Sequence, residues 1–436
     1  MITFDFVLKN YPCYKDIIDT IQEADELCNR AKGSGNEKRA FFLYRDVWLT
    51  LVSCFSDRRC VPLVPYVSNR LFECYLYGVG VEQDLGEALC YLDDFRHITS
   101  KLPHMLAALN LPKDPNQEQF EILGKQLMLL FNKESEKHGF VVCLCENRIL
   151  IFSKFRLPFE TDSKKNPHHK IFRNSISKIV SRFPRLGGKM LLHARYGTLD
   201  EKKGFYDLEN VLFYNFGFTK RSMEHRVERG VAFSRIPLEE LEKLQSEKNV
   251  PPEFCHCYEY LADEAPHAAG ERERLIAEWD ALPFVAIKSA NGVLNYWKAM
   301  RGISEGIAVR GNVCTKDKKS RFSLYLEIEK PKEAHLYALS IVKPLLDGIV
   351  SALHTGDFDE DETLRFSEKL NVPIEWIKNN NRQGVLGERK YIQLYSGKSG
   401  IKWNPADDLC DKVSISVVDG KEWRVGGRVY AVVPCC

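Results

Sequence analysis

From residue 14 to about residue 135 the apolar positions fall at helical spacing. Over Tyr14–Ala31 the residues Ile17, Ile18, Ile21, Ala24 and Leu27 form an i, i+3/i+4, i+7 stripe, which predicts an amphipathic helix. Gly33-Ser34-Gly35-Asn36 interrupts it, and Phe41–Phe55 predicts a second, strongly apolar helix. Pro62 and Pro65 punctuate the chain, and Ser68 reads as the N-cap of a third helix that ends near Tyr77. The glycines that follow invite comparison with a phosphate loop. Such a loop needs a strand before it and either G-x-x-x-x-G-K-[ST] or G-x-G-x-x-G spacing. Leu71–Tyr77 reads helical and no Lys-Ser/Thr follows Gly80, so a turn is expected instead. Gly78 would end one helix in the left-handed conformation, Gly80 would permit the turn, and Asp84 would cap the next helix.

Around residue 138 the periodicity changes. Gly139–Cys145 and Arg148–Phe152 read as short strands, and strands then recur to the C-terminus, mixed with helices. Pro237–Lys248 and Gly270–Asp280 are strongly charged and read as a helical insertion or linker. Lys412–Val418 and Arg424–Val433 alternate as a β-hairpin would across Asp419-Gly420. Arg148–Glu160 also aligns with Arg321–Glu333 at a constant offset of 173, with Arg, Pro and Glu coinciding. A predicted helix follows each, Lys170–Phe183 in one and Ala334–His354 in the other. The expected fold is therefore α+β. A helical domain would cover 1–136, a basic α/β unit 137–235, the charged interval 236–282 and a second α/β unit 283–436. The two α/β units are candidates for a duplication.

Composition narrows the class. A chain of 436 residues exceeds one compact core, and 44% hydrophobic with 28% charged residues is globular. No apolar run approaches the roughly 18–20 residues that span a bilayer. MITFDFVLKNYPC carries an acid at position 5 and no apolar core, unlike a secretory signal. The 14 cysteines are scattered from Cys13 to Cys436, many in apolar runs such as those of Cys54, Cys74 and Cys90. That usage predicts reduced thiols in a cytoplasmic protein. Cys143/Cys145 and Cys255/His256/Cys257 each offer half of a zinc site, with no second pair nearby to complete it.

Charge changes the picture further. Net charge is only +2, yet between Arg148 and Gly230 eighteen Lys and Arg stand against eight Asp and Glu. Within that region Lys154, Arg156, Lys170, Arg173, Lys178, Arg182 and Arg185 interleave with Phe152, Phe155, Phe172 and Phe183. Basic residues to grip phosphates beside aromatics to stack on bases would make a DNA- or RNA-binding surface. The alternative is that the aromatics are core and the cations solvate an outer face.

Two resemblances add to this reading. Tyr75-x-x-Gly78-x-Gly80-Val81-x-x-Asp84-x-x-Glu87-Ala88 resembles one Sel-like repeat, a relative of the tetratricopeptide repeat, over residues 68–95. It implies a helical domain that binds a protein partner. Ile341-Val-Lys343-Pro-Leu-Leu-Asp347, followed later by Asp407-Asp408 at the entrance of a strand, resembles the RusA-like crossover-junction endonucleases over residues 320–433. That resemblance implies catalytic roles for Lys343, Asp347, Asp407 and Asp408. The family's D-x-D-N before the lysine is missing here, where Tyr337-Ala-Leu-Ser340 stands, but Asp207-Leu-Glu209-Asn210 occurs in the other unit. If the two units face each other, Asp207 and Glu209 would complete a metal-binding cluster with Asp347 and Asp408, of the oxygen donors that Mg²⁺ prefers. The bland alternative places Asp347 on a solvated helix face and makes Asp407-Asp408 a turn cap. The expectation is a cytoplasmic nucleic-acid-binding protein, a Mg²⁺-dependent nuclease or its inactive relative, with no organic cofactor and no membrane association. The competing class is a protein-interaction adaptor without a nucleic-acid role.

Overall fold

The computed structural model describes residues 14–29, 35–53, 63–88, 90–91, 128–129, 131–145, 148–158, 166–182, 191–200, 207–218, 227, 229–263, 273–283, 292–302, 306–313, 320–334, 336, 338–380, 384–394 and 401–433. The fold is α+β, with N-terminal helices and a large mixed sheet. The chain divides into two compact units, residues 1–147 with 170–188, and residues 148–169 with 189–436.

The first unit begins with α1 (Lys15–Asn29), α2 (Asn36–Ser53) and α3 (Val64–Tyr77). The stripe of α1 buries Ile18, Ile21, Ala24 and Leu27, as its periodicity predicts. Asp25 on the same helix accepts hydrogen bonds from Tyr44 at 2.5 Å and Tyr66 at 2.6 Å, and Arg70 lies 3.1 Å from it. Ser68 is not a cap: α3 starts four residues earlier, and the Ser68 hydroxyl donates to the Val64 carbonyl inside the helix. The start signal of the helix is Pro65 in its first turn. The glycine turn is as expected. Gly78 ends α3 in the left-handed region (φ 71°), and the Asp84 carboxylate accepts the Glu87 N–H at 3.0 Å to open the next helical turn. Later in this unit come β1 (Phe140–Cys145) and α4 (Pro167–Arg182), where Phe140 packs on Phe172 at 4.8 Å.

The second unit is built on β2 (Arg148–Ser153), β3 (Leu191–Thr198), β4 (Gly230–Arg235), β5 (His256–Asp263), β6 (Glu273–Pro283), β7 (Ala308–Val309) and β8 (Arg321–Pro331). β13 (Cys410–Gly420) and β14 (Arg424–Val432) complete its sheet, in the order β2-β5-β3-β4-β13-β8-β14-β6-β7. β3 runs parallel to β4, β13 parallel to β8, and β4 meets β13 antiparallel. Helix α5 (Leu238–Glu247) follows β4; α6 (Gly292–Gly302) and α7 (Ala338–Ala352) pack on each other. A Cβ at Gly348 would stand 2.6 Å from the Tyr296 Cβ, so only glycine lets α7 lie this close to α6. Between α7 and β13 are β9 (Thr355–Gly356), α8 (Glu360–Leu370), α9 (Ile374–Asn380), β10 (Glu388–Arg389), β11 (Ile392–Leu394) and β12 (Ile401–Trp403). They enclose an aromatic core of Trp297, Phe366 and Tyr391.

Three expectations are corrected here. Residues 273–280 are strand, not helical linker: β6 pairs with β14 and β7, burying Ile276, Ala277 and Trp279 and leaving Arg274 and Asp280 exposed. The intervals 137–235 and 283–436 are not separate units either, since β4 and β13 join them in one sheet. Finally, β13 and β14 are not a hairpin. β8 inserts between them, and the three residues 421–423 cross its end. A link of that length reaches about 10 Å, enough to pass one strand at a spacing of about 4.8 Å.

Candidate metal centre

Between β3 and β4 the chain forms a single π-helical turn, Asn210–Tyr214. Its apolar residues Val211, Leu212 and Phe213 are buried, Phe213 meets Phe233 of β4 at 5.5 Å, and Tyr260 donates to the Leu212 carbonyl at 2.7 Å. The turn is thus pinned to the sheet, which carries Glu209 into the interior and leaves it 1% exposed. Asn210 Nδ2 donates to Asp207 Oδ2 at 2.7 Å, orienting that carboxylate.

Helix α7 supplies Lys343 and Asp347, one turn apart on the same face. A 3₁₀ turn, Asp407–Leu409, supplies Asp407 immediately before β13. That turn is fastened by Arg235 Nη2, which donates to the Asp408 carbonyl at 2.8 Å, and by His354 Nε2, which accepts the Ala406 N–H at 3.3 Å.

These three segments converge on one ammonium. Lys343 Nζ lies 2.9 Å from Glu209, 3.4 Å from Asp347, 3.6 Å from Asp407 and 4.0 Å from Asp207. Oxygens of Asp207, Glu209 and Asp407 lie within 4.8 Å of one another. Four carboxylates around one lysine would carry a net charge of −3 if all were ionised, in a site shielded from water. Burial, with the neighbouring Asp207 and Asp347 charges, accordingly pushes the Glu209 carboxyl up to about 7 against the pull of Lys343. Burial also raises Asp347, and raises Asp407 well above the usual carboxylate range with help from Glu209 and Asp207. Burial alone would weaken the lysine's hold on its proton; Glu209, Asp347 and Asp407 outweigh it, so Lys343 stays charged.

The donor set fits a divalent cation. Ligands of Mg²⁺ at about 2.1 Å are at most about 4.2 Å apart, so the three oxygens need only small shifts to share one ion. A second positive centre here would neutralise carboxylates that otherwise hold protons.

Of the four carboxylates expected to hold a metal, Asp207 and Glu209 stand in the three-oxygen group with Asp407, while Asp347 reaches Lys343 without being part of that group. Asp407 joins it and Asp408 does not: the Asp408 carboxylate turns to Arg389, 3.7 Å away. Successive side chains of a 3₁₀ turn point about 120° apart, and the inward one here is that of Asp407. The basic residues are more dispersed. Lys154 is exposed, 3.4 Å from Glu253 and over the Phe254 ring, while Arg156 is half-buried. Lys170 is exposed on α4 and Arg173 half-buried. Arg185 lies outside the described residues, as do the side chains of Lys178 and Arg182. Phe152 and Phe172 are core residues, unavailable for stacking on bases. His256 is buried with Nδ1 2.8 Å from the Tyr196 hydroxyl, strand alternation turns it away from Cys257, and among the described residues the Cys255–Cys257 run joins no group of metal-ligating side chains.

No sequence motif marks His354. A histidine after an apolar helix end carries no pattern, and its role depends on the chain returning at Ala406. Comparison with protein-family models, curated proteins and solved structures returns no match.

Proposed function

We propose that the second unit is a divalent-cation-dependent phosphodiesterase acting on nucleic acid. The observation that carries this reading is the convergence of Asp207, Glu209, Asp347 and Asp407 on Lys343. Hard oxygen donors would hold Mg²⁺ or Mn²⁺, which supplies Lewis-acid stabilisation of charge on a scissile phosphate. Asp207, Glu209 and Asp407 would be the ligands. Lys343, held by Asp347, would place its ammonium beside the phosphate oxygens, and Lys154 and Arg156 of the same unit would grip the backbone. The free thiols of Cys28, Cys74 and Cys410 accord with a reducing compartment such as the cytoplasm. Among the described residues no helix is long and apolar enough to cross a membrane.

The test incubates purified protein with end-labelled single-stranded, duplex and branched DNA and with RNA, each with Mg²⁺, Mn²⁺ or EDTA. Cation-dependent cleavage by the wild type and none by Asp407→Asn is expected. No cleavage of any substrate, or equal cleavage by the variant, contradicts the reading. The helical turn at Gly78–Asp84 favours a second role alongside the first, a protein partner bound by the N-terminal unit. Co-precipitation that depends on residues 14–91 would test it.

A further inference from the structure

The sheet of the second unit repeats itself. β2, β5, β3 and β4 lie side by side with relations antiparallel, antiparallel, parallel. β6, β14, β8 and β13 lie side by side with the same three relations. The chain visits them in matching order, β2, β3, β4, β5 and then β6, β8, β13, β14. Where the halves meet, β4 and β13 pair antiparallel, with Ala232 opposite Ser414. A two-fold axis perpendicular to the sheet between those strands therefore exchanges the halves strand for strand. The correspondence pairs β2 with β6 and β3 with β8, not β2 with β8 as the constant offset of 173 had it.

The same exchange relates the two crossover connections. The link from β3 to β4 carries Asp207 and Glu209; the link from β8 to β13 carries Lys343, Asp347 and Asp407. α7, from the second half, packs over β4 of the first. In a symmetric dimer of one such half, each crossover would carry all of these groups and two clusters would result. Here the groups are divided between the crossovers, and among the described residues one carboxylate group of this kind exists.

We infer that this unit is a tandem fusion of two copies of one four-stranded element, and that the fusion retains one centre per chain drawn from both copies, so that a duplex is nicked on one strand per encounter. The strand-cutting part rests on the phosphodiesterase reading above. The two strands of a duplex have opposite polarity, so cutting both in place needs two centres related by a dyad. A chain with one centre must release the duplex, or recruit a second copy, before the other strand is cut. The step itself is hydrolysis: water adds to phosphorus, one P–O ester bond breaks, and the leaving oxygen takes a proton.

The experiment has two readouts on the full-length protein. The first is Mn²⁺ binding by equilibrium dialysis for the wild type, for Glu209→Gln in the first half and for Asp407→Asn in the second. One class of site, lost in either variant, is expected. Two classes, each variant losing a different one, would overturn the shared centre while leaving metal binding intact. No Mn²⁺ bound to the wild type would overturn the metal reading and this inference together. The second is cleavage of a supercoiled circular duplex, where open circles should accumulate with first-order kinetics well before linear product. Linear product formed without an open-circle intermediate would overturn nicking. No cleavage despite one shared Mn²⁺ class would remove the phosphodiesterase reading and nicking, and would leave the shared centre standing.

Discussion

Lys343 Nζ stands 2.9 Å from Glu209 Oε1, an ion pair between residues 134 positions apart that ties α7 to the π-helical turn of the other half of the sheet. Glu209 is almost fully buried, so the pair is the charge balance of the site and not a surface ornament. Exposed ion pairs contribute little, but removing one partner of a buried one leaves an uncompensated charge.

Lys343→Met should therefore destabilise the protein by about 3 kcal/mol at pH 8, the usual scale for a broken buried pair. The loss should shrink toward pH 5. Glu209 has a folded pKa near 7, above its unfolded value, so below the unfolded value it is protonated in both states and costs nothing. Stability then falls as pH rises through about 7, and faster without the lysine. Chemical denaturation of both proteins at pH 5 and pH 8 checks this; a pH-independent difference would speak against it.

Much of this site was legible in the sequence, and its failures have physical causes. Lys343 and Asp347 share a face because helix geometry fixes i and i+4, and D-L-E-N was visible as a run. That the two would meet required a long-range strand order that no local pattern encodes. Asp407 and Asp408 were indistinguishable because direction at a strand entrance depends on the 3₁₀ turn that precedes it. The supposed C-terminal hairpin failed for the same kind of reason, since β8 belongs between strands that are neighbours in sequence.

The two adjacent aspartates should behave differently. Asp407→Asn should abolish a cation-dependent rise in melting temperature, whereas Asp408→Asn should retain it, with at most a small loss from its pairing with Arg389. Thermal unfolding with and without Mn²⁺ distinguishes them. Equal behaviour of the two variants would mean that the inward and outward assignments are wrong.

In the N-terminal unit two glycines of one turn should differ in cost. Gly78 has φ +71° but room for a Cβ, the nearest atom being 3.6 Å away, so Gly78→Ala should cost about 1 kcal/mol from backbone strain. Gly80 has φ +72° and a Cβ there would overlap the Glu37 carbonyl of α2, so Gly80→Ala should cost clearly more. Limited proteolysis of the helical unit in both variants gives the order; Gly78→Ala the more sensitive would contradict it.

His354 is buried and held neutral, Nδ1 3.2 Å from the Gly387 carbonyl and Nε2 accepting the Ala406 N–H. Burial depresses its pKa to about 3. A depressed group contributes stability that is present above the unfolded value near 6.5 and is lost as pH falls toward 3. His354→Gln should flatten the acid limb of the stability curve by up to a few kcal/mol between those limits. An unchanged acid limb would show that another group governs acid unfolding.

The claim that the carboxylates around Lys343 form a cation site is tested most directly by calorimetric titration of Mn²⁺ into the wild type and Glu209→Gln at pH 6 and pH 8. Metal must displace the protons that burial holds on the site, so wild-type affinity should rise as pH passes about 7. Glu209→Gln, relieved of a buried charge, should be at least as stable without metal and should bind none. Binding that is absent in the wild type, or equally strong in Glu209→Gln, would contradict the account.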